Sequence, residues 1–314
     1  TYTKGSADPV EAVEALQIHG GPADGALAFT PNADHSLSPS ALATEQAAPA
    51  LTGLPFGFGP QRSTTNAYRM FAADGGVFTF NASFRGSAGG VRLARPVVGG
   101  ASTPDGAGYY LAGADGGVFS YHAPFRGSLG NVRLNAPIVG MTVDAANGGY
   151  WLVGADGGVF TFGAPYLGGT GALRLNQPMV AMSPTPNGAG YILIAADGGV
   201  FNYGNAAFAG SLGNVRLNAP VVGGAIDPAT GGYWLVAADG GVFTFNAPFL
   251  GSAGNLKLTH PVVGMAATDN GQGYELIASD GSLYPFGTAT KAGGLTGLAL
   301  NAPVVGVAPS PPGA

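Results

Sequence analysis

The sequence predicts an all-β repeat protein with the architecture of a β-propeller, and three observations lead to this fold class. Nearly the same string occurs six times, as in GYWLVAADGGVFTF at 232–245. The central aspartates of these copies are separated by 41, 41, 41, 42 and 41 residues: Asp74, Asp115, Asp156, Asp197, Asp239 and Asp280. Such a period, rich in Gly and aromatic residues and without a helical 3.6-residue pattern, indicates about four short antiparallel strands per repeat.

Each element of one repeat has its own signal. PVVGGAI at 220–226 predicts a first strand, YWLVAA at 233–238 a second strand that is apolar on both faces, and VFTFN at 242–246 a third. Asp-Gly between the second and third strands predicts a type I′ hairpin, with positive φ at both central positions. LKL at 256–258 predicts a fourth, outermost strand. A recurring basic residue there would discourage edge-to-edge pairing with other chains: Arg92, Arg133, Arg174, Arg216 and Lys257.

The two chain ends decide the predicted number of blades. PFGFGP at 55–60 can serve as the first strand of the repeat that contains Asp74, and residues 301–308 then complete a degenerate N-terminal repeat. This arrangement gives a seven-bladed propeller in which the C-terminal strand closes the ring. In the alternative, the C-terminal strand replaces 55–60, and a six-bladed propeller carries an N-terminal arm. The expected organisation is an N-terminal segment (arm or degenerate blade), propeller repeats and a Pro-rich tail: 1–53, 54–308 and 309–314.

Composition narrows the classes of function. Only 9% of the residues are charged and the net charge is −5, which argues against a nucleic-acid-binding surface. The absence of cysteine excludes disulfides, zinc-thiolate sites and thiol nucleophiles. The chain begins TYTKGSADP and has no apolar run long enough for a transmembrane segment. We therefore expect a processed, secreted or cell-surface product, although removal of a tag would leave a similar start.

The polar residues predict no catalytic, metal or cofactor site. Most aspartates fall in turns, and the hairpin aspartates belong to different repeats, too far apart to share a metal ion. FRGSAGG at 84–90 fails the G-x-S-x-G pattern of a serine nucleophile, and its recurrence indicates a structural turn. The histidines lack metal-ligand spacing: His19, His35, His122 and His260. A polysaccharide-active enzyme with a site in the axial channel is the alternative, and no unrepeated acid/base cluster supports it.

Two positions vary within the otherwise regular repeat and are candidates for binding. The residue after the repeat tyrosine is Arg69, Tyr110, Trp151, Ile192, Trp234 and Glu275 in turn. Its aromatic members could form a platform for sugar rings or for a partner side chain, or they could fill space between blades. The position after the third strand varies between Asn, Gly and His. From these two positions the candidate ligand or partner residues are Arg69, Tyr110, Trp151, Trp234, Glu275 and His122. Asn81-Ala82-Ser83 also fits a glycosylation sequon.

Over residues 55–308 the repeats resemble a known class. Units of the form P-V-V-G-x-x-x-x-(D/P)-x-G-x-G-Y-W-L-V-x-x-D-G-G-V-F-x-F are similar to propeller-type repeats of secreted and surface proteins of bacteria, often appended to cell-wall or polysaccharide hydrolases. The resemblance implies a β-propeller, an extracellular location and a binding or scaffolding role, and it carries over no catalytic residue. We therefore expect a non-catalytic module for glycan or protein partners. The alternative is a subunit that self-assembles into filaments or arrays, which the low charge and the long N-terminal segment favour.

Overall fold

The computed structural model describes residues 28–31, 37–39 and 67–310, and every regular element among them is a β-strand. Within this part of the chain, no helix has the length and hydropathy needed to span a membrane. The predicted first strand at 55–60 and the end of the tail, 311–314, lie outside the described residues. The all-β fold class is confirmed.

The chain divides into two compact units, Thr1–Arg62 and Ser63–Ala314. In the first unit, strand β1 (Ala28–Pro31) pairs antiparallel with strand β2 (Leu37–Pro39). The second unit contains the six repeats.

The second unit forms six three-stranded antiparallel sheets, each with a first, a middle and a third strand in that order. The middle strands begin at or next to the repeat tyrosine: β3 (Ala67–Ala72), β6 (Tyr109–Gly113), β9 (Tyr150–Gly154), β12 (Gly190–Ala195), β15 (Tyr233–Ala237) and β18 (Gly273–Ala278). The third strands follow the Asp-Gly turns: β4 (Val77–Phe80), β7 (Val118–Tyr121), β10 (Val159–Phe162), β13 (Val200–Gly204), β16 (Val242–Phe245) and β19 (Leu283–Gly287). The first strands are β5 (Val97–Ser102), β8 (Ile138–Val143), β11 (Met179–Pro184), β14 (Val221–Ile226), β17 (Val262–Ala267) and β20 (Val304–Ser310).

We number the sheets along the chain by their middle strands. The sheets are I (β20-β3-β4), II (β5-β6-β7), III (β8-β9-β10), IV (β11-β12-β13), V (β14-β15-β16) and VI (β17-β18-β19). Every first strand carries a register shift against its middle strand, as between Val97 and Gly99 in sheet II. A bulge of this kind bends the strand and increases its twist.

The pairing predicted for the C-terminal strand is wrong. Residues 304–310 do not complete a repeat in the N-terminal segment; they pair with β3, so that Val304 lies opposite Ala72 and Ser310 opposite Ala67. Sheet I therefore combines the last strand of the repeat region with its first two strands. This is the pairing that the six-bladed alternative requires.

The predicted fourth strand is also wrong. The segments that contain the five recurring basic residues lie outside every strand. Val91 donates its backbone N–H to Ala88 in a tight turn, and Pro96 follows five residues later, so few residues are left to pair with a third strand. The basic side chains of the segments are exposed without protecting a strand edge. The leucines that follow them, such as Leu93, are partly buried against the core.

The Asp-Gly hairpins are tight, but they are not type I′ turns. In sheet I, Gly75 donates to the carbonyl of Ala72 and Ala72 donates to the carbonyl of Gly76. Gly75 has a φ of 85°, whereas Asp74 is not among the residues with positive φ. The connection therefore has three residues, with a turn followed by a left-handed glycine, which is the next commonest hairpin geometry.

The core lies between sheets, and each of its six clusters combines two sheets. The middle strands are buried along their whole length on both faces, as their sequence predicts. Tyr110 and Leu152, for example, belong to one cluster shared by sheets II and III. The sixth cluster joins sheet VI to sheet I through Ile277 and Met70. Each sheet is thus covered on both faces by its neighbours.

Candidate functional site

Five of the six candidate residues occupy one position of the middle strand and are buried. Arg69, Tyr110, Trp151, Trp234 and Glu275 have at most 1% of their surface exposed. The Trp151 ring lies 5.4 Å from a tyrosine ring of the next sheet, and the Trp234 ring lies 5.3 Å from the equivalent ring, centroid to centroid. These side chains fill the space between sheets, and in that position they present no surface to a ligand.

Four of these five side chains also bind the loop that follows the third strand of their own sheet. These four donate a hydrogen bond to the carbonyl fourteen residues later: Arg69 to Ser83 (3.4 Å), Tyr110 to Pro124 (3.0 Å), Trp151 to Pro165 (2.8 Å) and Trp234 to Pro248 (2.8 Å). Ile192 has no donor, and in that sheet Asn202 Nδ2 donates to the Ala206 carbonyl at 3.0 Å instead. The variable position therefore combines packing with the satisfaction of a loop carbonyl.

Arg69 makes further contacts that link three separate parts of the chain. Its Nη1 donates to Ser102 Oγ at 2.9 Å and to Ser310 Oγ at 3.0 Å, and its Nη2 donates to the Gly106 carbonyl at 2.7 Å. The guanidinium carbon lies 4.9 Å from the centroid of the Tyr109 ring, a cation-π distance. Burial lowers the pKa of Arg69 below its usual range. Arg69 thus connects both edges of sheet I to sheet II.

Glu275, the other buried charge at this position, belongs to sheet VI. Burial raises the pKa of Tyr68 in sheet I, and the carboxylate of Glu275 raises this pKa further. Tyr68 therefore lies within reach of the Glu275 charge across the interface of sheets VI and I. The two charged side chains at the variable position, Arg69 and Glu275, are thus the ones associated with sheet I.

His122 differs from the other candidates because it is exposed and lies in a loop. Its φ is 51°, in the left-handed region that non-glycine residues rarely adopt. The equivalent residue of every repeat has a positive φ: Asn81 (50°), Gly163 (72°), Gly204 (64°), Asn246 (50°) and Gly287 (65°). Asn, His and Gly tolerate this backbone best, so the backbone conformation accounts for the variation at this position.

The hairpin aspartates form turns, as predicted. Each accepts the backbone N–H of the second residue after it, as Asp115 does from Gly117 at 3.0 Å. Five repeats share this arrangement with Asp115: Asp74, Asp156, Asp197, Asp239 and Asp280. Among the described residues, no three His, Asp or Glu side chains come close enough together to hold a metal ion.

The repeat tyrosine joins each sheet to the loop that precedes it. The hydroxyl of Tyr150 donates to the Gly127 carbonyl at 2.6 Å and accepts from the Arg126 backbone N–H at 3.1 Å. Gly127 has a φ of 131°, and a Cβ there would lie 2.6 Å from the Phe162 ring. This geometry accounts for the recurring glycine at this position of the loop. The same two hydrogen bonds recur at Tyr109, Tyr191, Tyr233 and Tyr274, and Tyr68 donates to the Gly293 carbonyl at 2.9 Å.

Sequence reasoning missed a set of exposed aromatic residues in the same loops. They are Phe84 (57% exposed), Phe125 (59%), Tyr166 (64%), Phe208 (58%) and Phe249 (62%). In the loop of Phe125, the preceding Pro124 carbonyl accepts from Tyr110, and the following Arg126 N–H donates to Tyr150. The backbone on both sides of Phe125 is therefore fixed by hydrogen bonds, while its ring faces solvent. A large aromatic residue that recurs a few residues beyond the end of each third strand, in NASF, HAPF, GAPY, GNAAF and NAPF, is the signal that could have identified this set.

We call the end of the sheets that carries these five rings the aromatic edge. Arg126, next to Phe125, donates from Nε to the carbonyl of Gly148 in the turn between β8 and β9, at 3.2 Å. The aromatic edge therefore coincides with the turns between first and middle strands, opposite the Asp-Gly hairpins. The opposite end of the sheets, which we call the hairpin edge, exposes smaller apolar side chains: Val91, Val132, Leu173, Val215, Leu256 and Leu298.

All six first strands line one cavity of about 540 Å³. Valine, glycine, alanine and methionine make up most of its wall, with the hydroxyls of Ser102, Thr142 and Ser183 among the polar groups. Of the described residues that line it, Asp269 is the one with an ionisable side chain. The wall thus offers no pair of acid and base groups to a substrate.

Comparison with known proteins assigns no family. No protein-family model matches the chain, and no curated protein matches it significantly. The resemblance to bacterial propeller repeats therefore rests on the repeat residues alone, and the function must be argued from the geometry.

Proposed function

We propose that residues 67–310 form a closed six-bladed β-propeller that acts as a non-catalytic, extracellular binding or scaffold module, with the aromatic edge as its partner surface. One observation carries the functional part of the proposal. Five large aromatic side chains stand exposed at the same repeat position and at the same end of the sheets.

The contacts between sheets support closure with six blades. The first strands contact one another in the order β5, β8, β11, β14, β17, β20, and β20 contacts β5. The core clusters and the tyrosine hydrogen bonds follow the same cyclic order, including the step from sheet VI to sheet I. A ring of this kind leaves no sheet face uncovered, and the pairing of β20 with β3 favours six blades over seven.

The chemistry of the aromatic edge supports binding. Large exposed apolar patches on a folded protein mark interaction surfaces, and five exposed rings at one end of the sheets supply apolar surface of this kind. Aromatic rings give a large contact area at small cost in conformational entropy, and their loops are already fixed by hydrogen bonds on both sides. Repetition adds to this, because several weak sites on one rigid body bind a polymer or an array with much higher avidity than one site.

Co-sedimentation with purified bacterial cell walls tests this function, before and after protease treatment of the walls to separate glycan from protein partners. We expect the full chain to sediment with the walls. Replacement of all five aromatic residues by alanine should reduce the bound fraction at least tenfold, because the rings are the contact surface. The matched control replaces five hairpin-edge residues by alanine: Val91, Val132, Leu173, Val215 and Leu256. Equal loss in both variants, or no sedimentation of the unmodified chain with either wall preparation, would contradict the proposal.

A self-assembling subunit is the second candidate, and the two edges favour it. Exposed apolar residues occupy opposite ends of the sheets, so a copy could stack its aromatic edge on the hairpin edge of the next. Such a head-to-tail contact does not close on itself and generates filaments. Light scattering and electron microscopy over a range of protein concentrations test it. A monodisperse monomer at high concentration would remove this candidate.

A further inference from the structure

The aromatic edge contains a cavity of about 540 Å³ between sheets IV and V. Phe208, one of the five exposed rings, lines it. Its other side chains include three amides and a hydroxyl: Asn187, Asn205, Asn246 and Thr230. No lining residue is ionisable.

The cavity lies beside one of the two loops that are one residue longer than in the other repeats. From the hairpin aspartate to the loop glycine that accepts the tyrosine hydrogen bond, the separation is 13 residues in repeats IV and VI (Asp197 to Gly210, Asp280 to Gly293) and 12 in repeat V (Asp239 to Gly251). In repeat IV the extra residue lies in the loop GNAAF, in which Asn205 is added and Ala207 stands where repeats II, III and V have proline. Proline removes a backbone donor and fixes φ, so its loss together with an insertion reshapes this loop. The longer loop contributes Asn205 and Phe208 to the cavity wall.

The polar groups beside Phe208 are held in place before any ligand arrives. Asn187 Oδ1 accepts from Thr185 Oγ1 at 2.8 Å, from the Ala189 N–H at 3.1 Å and from Asn205 Nδ2 at 3.1 Å. Asn205 Oδ1 lies 3.0 Å from Thr185 Oγ1. These hydrogen bonds fix the orientation of two amides, and a fixed site loses less entropy on binding.

Amide and hydroxyl groups determine which ligand fits. An amide has both donors and acceptors, and a hydroxyl is either, so the set matches the adjacent hydroxyls of a sugar ring. The apolar C–H face of a pyranose matches the exposed face of Phe208. A phosphate or carboxylate ligand would find no opposite charge in the lining, and its desolvation would not be compensated.

We propose that this cavity is a binding site for an uncharged pyranose unit of a polysaccharide, stacked on Phe208 and hydrogen-bonded to the amides of Asn187 and Asn205. The inference rests on the proposed binding function and names its ligand class and its site. Repeats I, II, III and V supply exposed rings without the added asparagine, and repeat VI adds Thr288 but has no exposed ring among its described residues. Sheets IV and V therefore hold the specific site of the aromatic edge.

Calorimetric titration with four uncharged hexasaccharides tests the site: cellohexaose, maltohexaose, mannohexaose and xylohexaose. We expect at least one to bind with saturation, and hexagalacturonic acid not to bind. Phe208→Ala should weaken this binding at least tenfold. Phe125→Ala, which removes an equally exposed ring from a regular repeat, should change it less than twofold. Both rings are more than half exposed, so both variants should melt like the unmodified chain.

The outcomes separate the site from the general function. Binding of none of the four hexasaccharides, equal loss in the two variants, or stronger binding of the acidic hexamer would each overturn the inference. Retained cell-wall sedimentation in any of these cases would leave the broader proposal standing. Loss of sedimentation as well would mean that both are wrong.

Discussion

Sheet I and the other five sheets reach the same architecture by different routes. Sheets II to VI are each formed by one continuous stretch of chain, as in sheet II from Val97 to Tyr121. Sheet I takes β20 from the end of the repeat region and β3 and β4 from its beginning. The same register position of the middle strand is filled by Tyr110, Trp151, Ile192 and Trp234 in sheets II to V, and by Arg69 and Glu275 in sheets I and VI.

This difference shows how the repeat is adapted where covalent continuity is missing. Aromatic packing between consecutive sheets is non-directional and tolerates small shifts. Arg69 instead binds Ser310 of β20, Ser102 of β5 and the Gly106 carbonyl, and these bonds form only in one register. We infer that the buried guanidinium of Arg69 specifies the pairing of β20 with β3, the two ends of the repeat region, while aromatic side chains supply the packing energy in the other sheets.

Deletion of residues 304–314 should have the largest effect on this comparison. It removes β20, leaves β3 as an unpaired edge and uncovers the cluster around Met70. We expect loss of the cooperative thermal transition and aggregation, since unpaired edges and exposed apolar faces associate. Deletion of 311–314 alone is the control and should melt like the full chain. A protein lacking 304–314 that also melts normally would show that sheet I does not depend on β20.

Single substitutions at the shared register position should sharpen the comparison. Trp234→Ala should lower the free energy of unfolding by about 3 to 5 kcal/mol, because it leaves a cavity between sheets V and VI. Arg69→Met keeps much of the volume but leaves the Gly106 carbonyl without its donor, and we expect a loss of about 2 to 3 kcal/mol. Chemical denaturation measures both values. An Arg69→Met variant as stable as the unmodified chain would contradict the role assigned to this guanidinium.

The smallest expected effect is the dependence of stability on alkaline pH. All sheets share it, because each contains a buried repeat tyrosine. Burial raises the pKa of Tyr191 to about 12, and burial with the Glu275 charge raises the pKa of Tyr68 as well. The folded chain then holds these protons more tightly than the unfolded chain, whose tyrosines titrate near pH 10. The free energy of unfolding should therefore be independent of the ionisation of these tyrosines below about pH 9 and should decrease as the pH rises through 10 and above.

Melting curves between pH 8 and 11.5 check this dependence. Tyr191→Phe should be less stable at pH 8, since the hydroxyl bonds to Leu167 and Gly168 are lost. The free energy of unfolding of this variant should nevertheless fall less steeply with pH than that of the unmodified chain. The difference in slope should be at most about 1.4 kcal/mol per pH unit, because one titrating group is gone. An unchanged slope would show that Tyr191 does not contribute to the alkaline transition.

Local signals in the sequence were sufficient for the repeat itself. The continuous apolar run YWLVAA identified a strand covered on both faces, and Asp239 with Gly240 identified a tight hairpin. The turn type was wrong because Asp-Gly also suits a three-residue connection in which only the glycine has positive φ. The fourth strand was wrong because three alternating residues such as LKL fit a turn segment as well as a strand, and the turn closed by Leu256 N–H to Ala253 is not visible in the pattern.

Long-range choices could not be read from the same signals. Residues 55–60 and 303–308 both fit the first-strand pattern, and only the pairing of β20 with β3 distinguishes them. The variable aromatic position suggested a platform, but Trp151 and Trp234 are buried by the neighbouring sheets. The exposed aromatics repeat regularly, and regular repetition by itself does not distinguish a binding residue from a structural one.

Disulfide trapping across sheet I tests the central claim, that the two ends of the repeat region close one sheet. The chain has no cysteine, so Ala72→Cys with Val304→Cys introduces a single pair, placed at directly opposite positions of β3 and β20. Ala72→Cys with Val221→Cys, a buried first-strand residue of sheet V, is the matched control. Mild oxidation of the folded protein should cross-link the first pair nearly completely, and the control pair should keep free thiols. Free thiols in the first pair after oxidation, with normal folding, would contradict the closure of sheet I by β20.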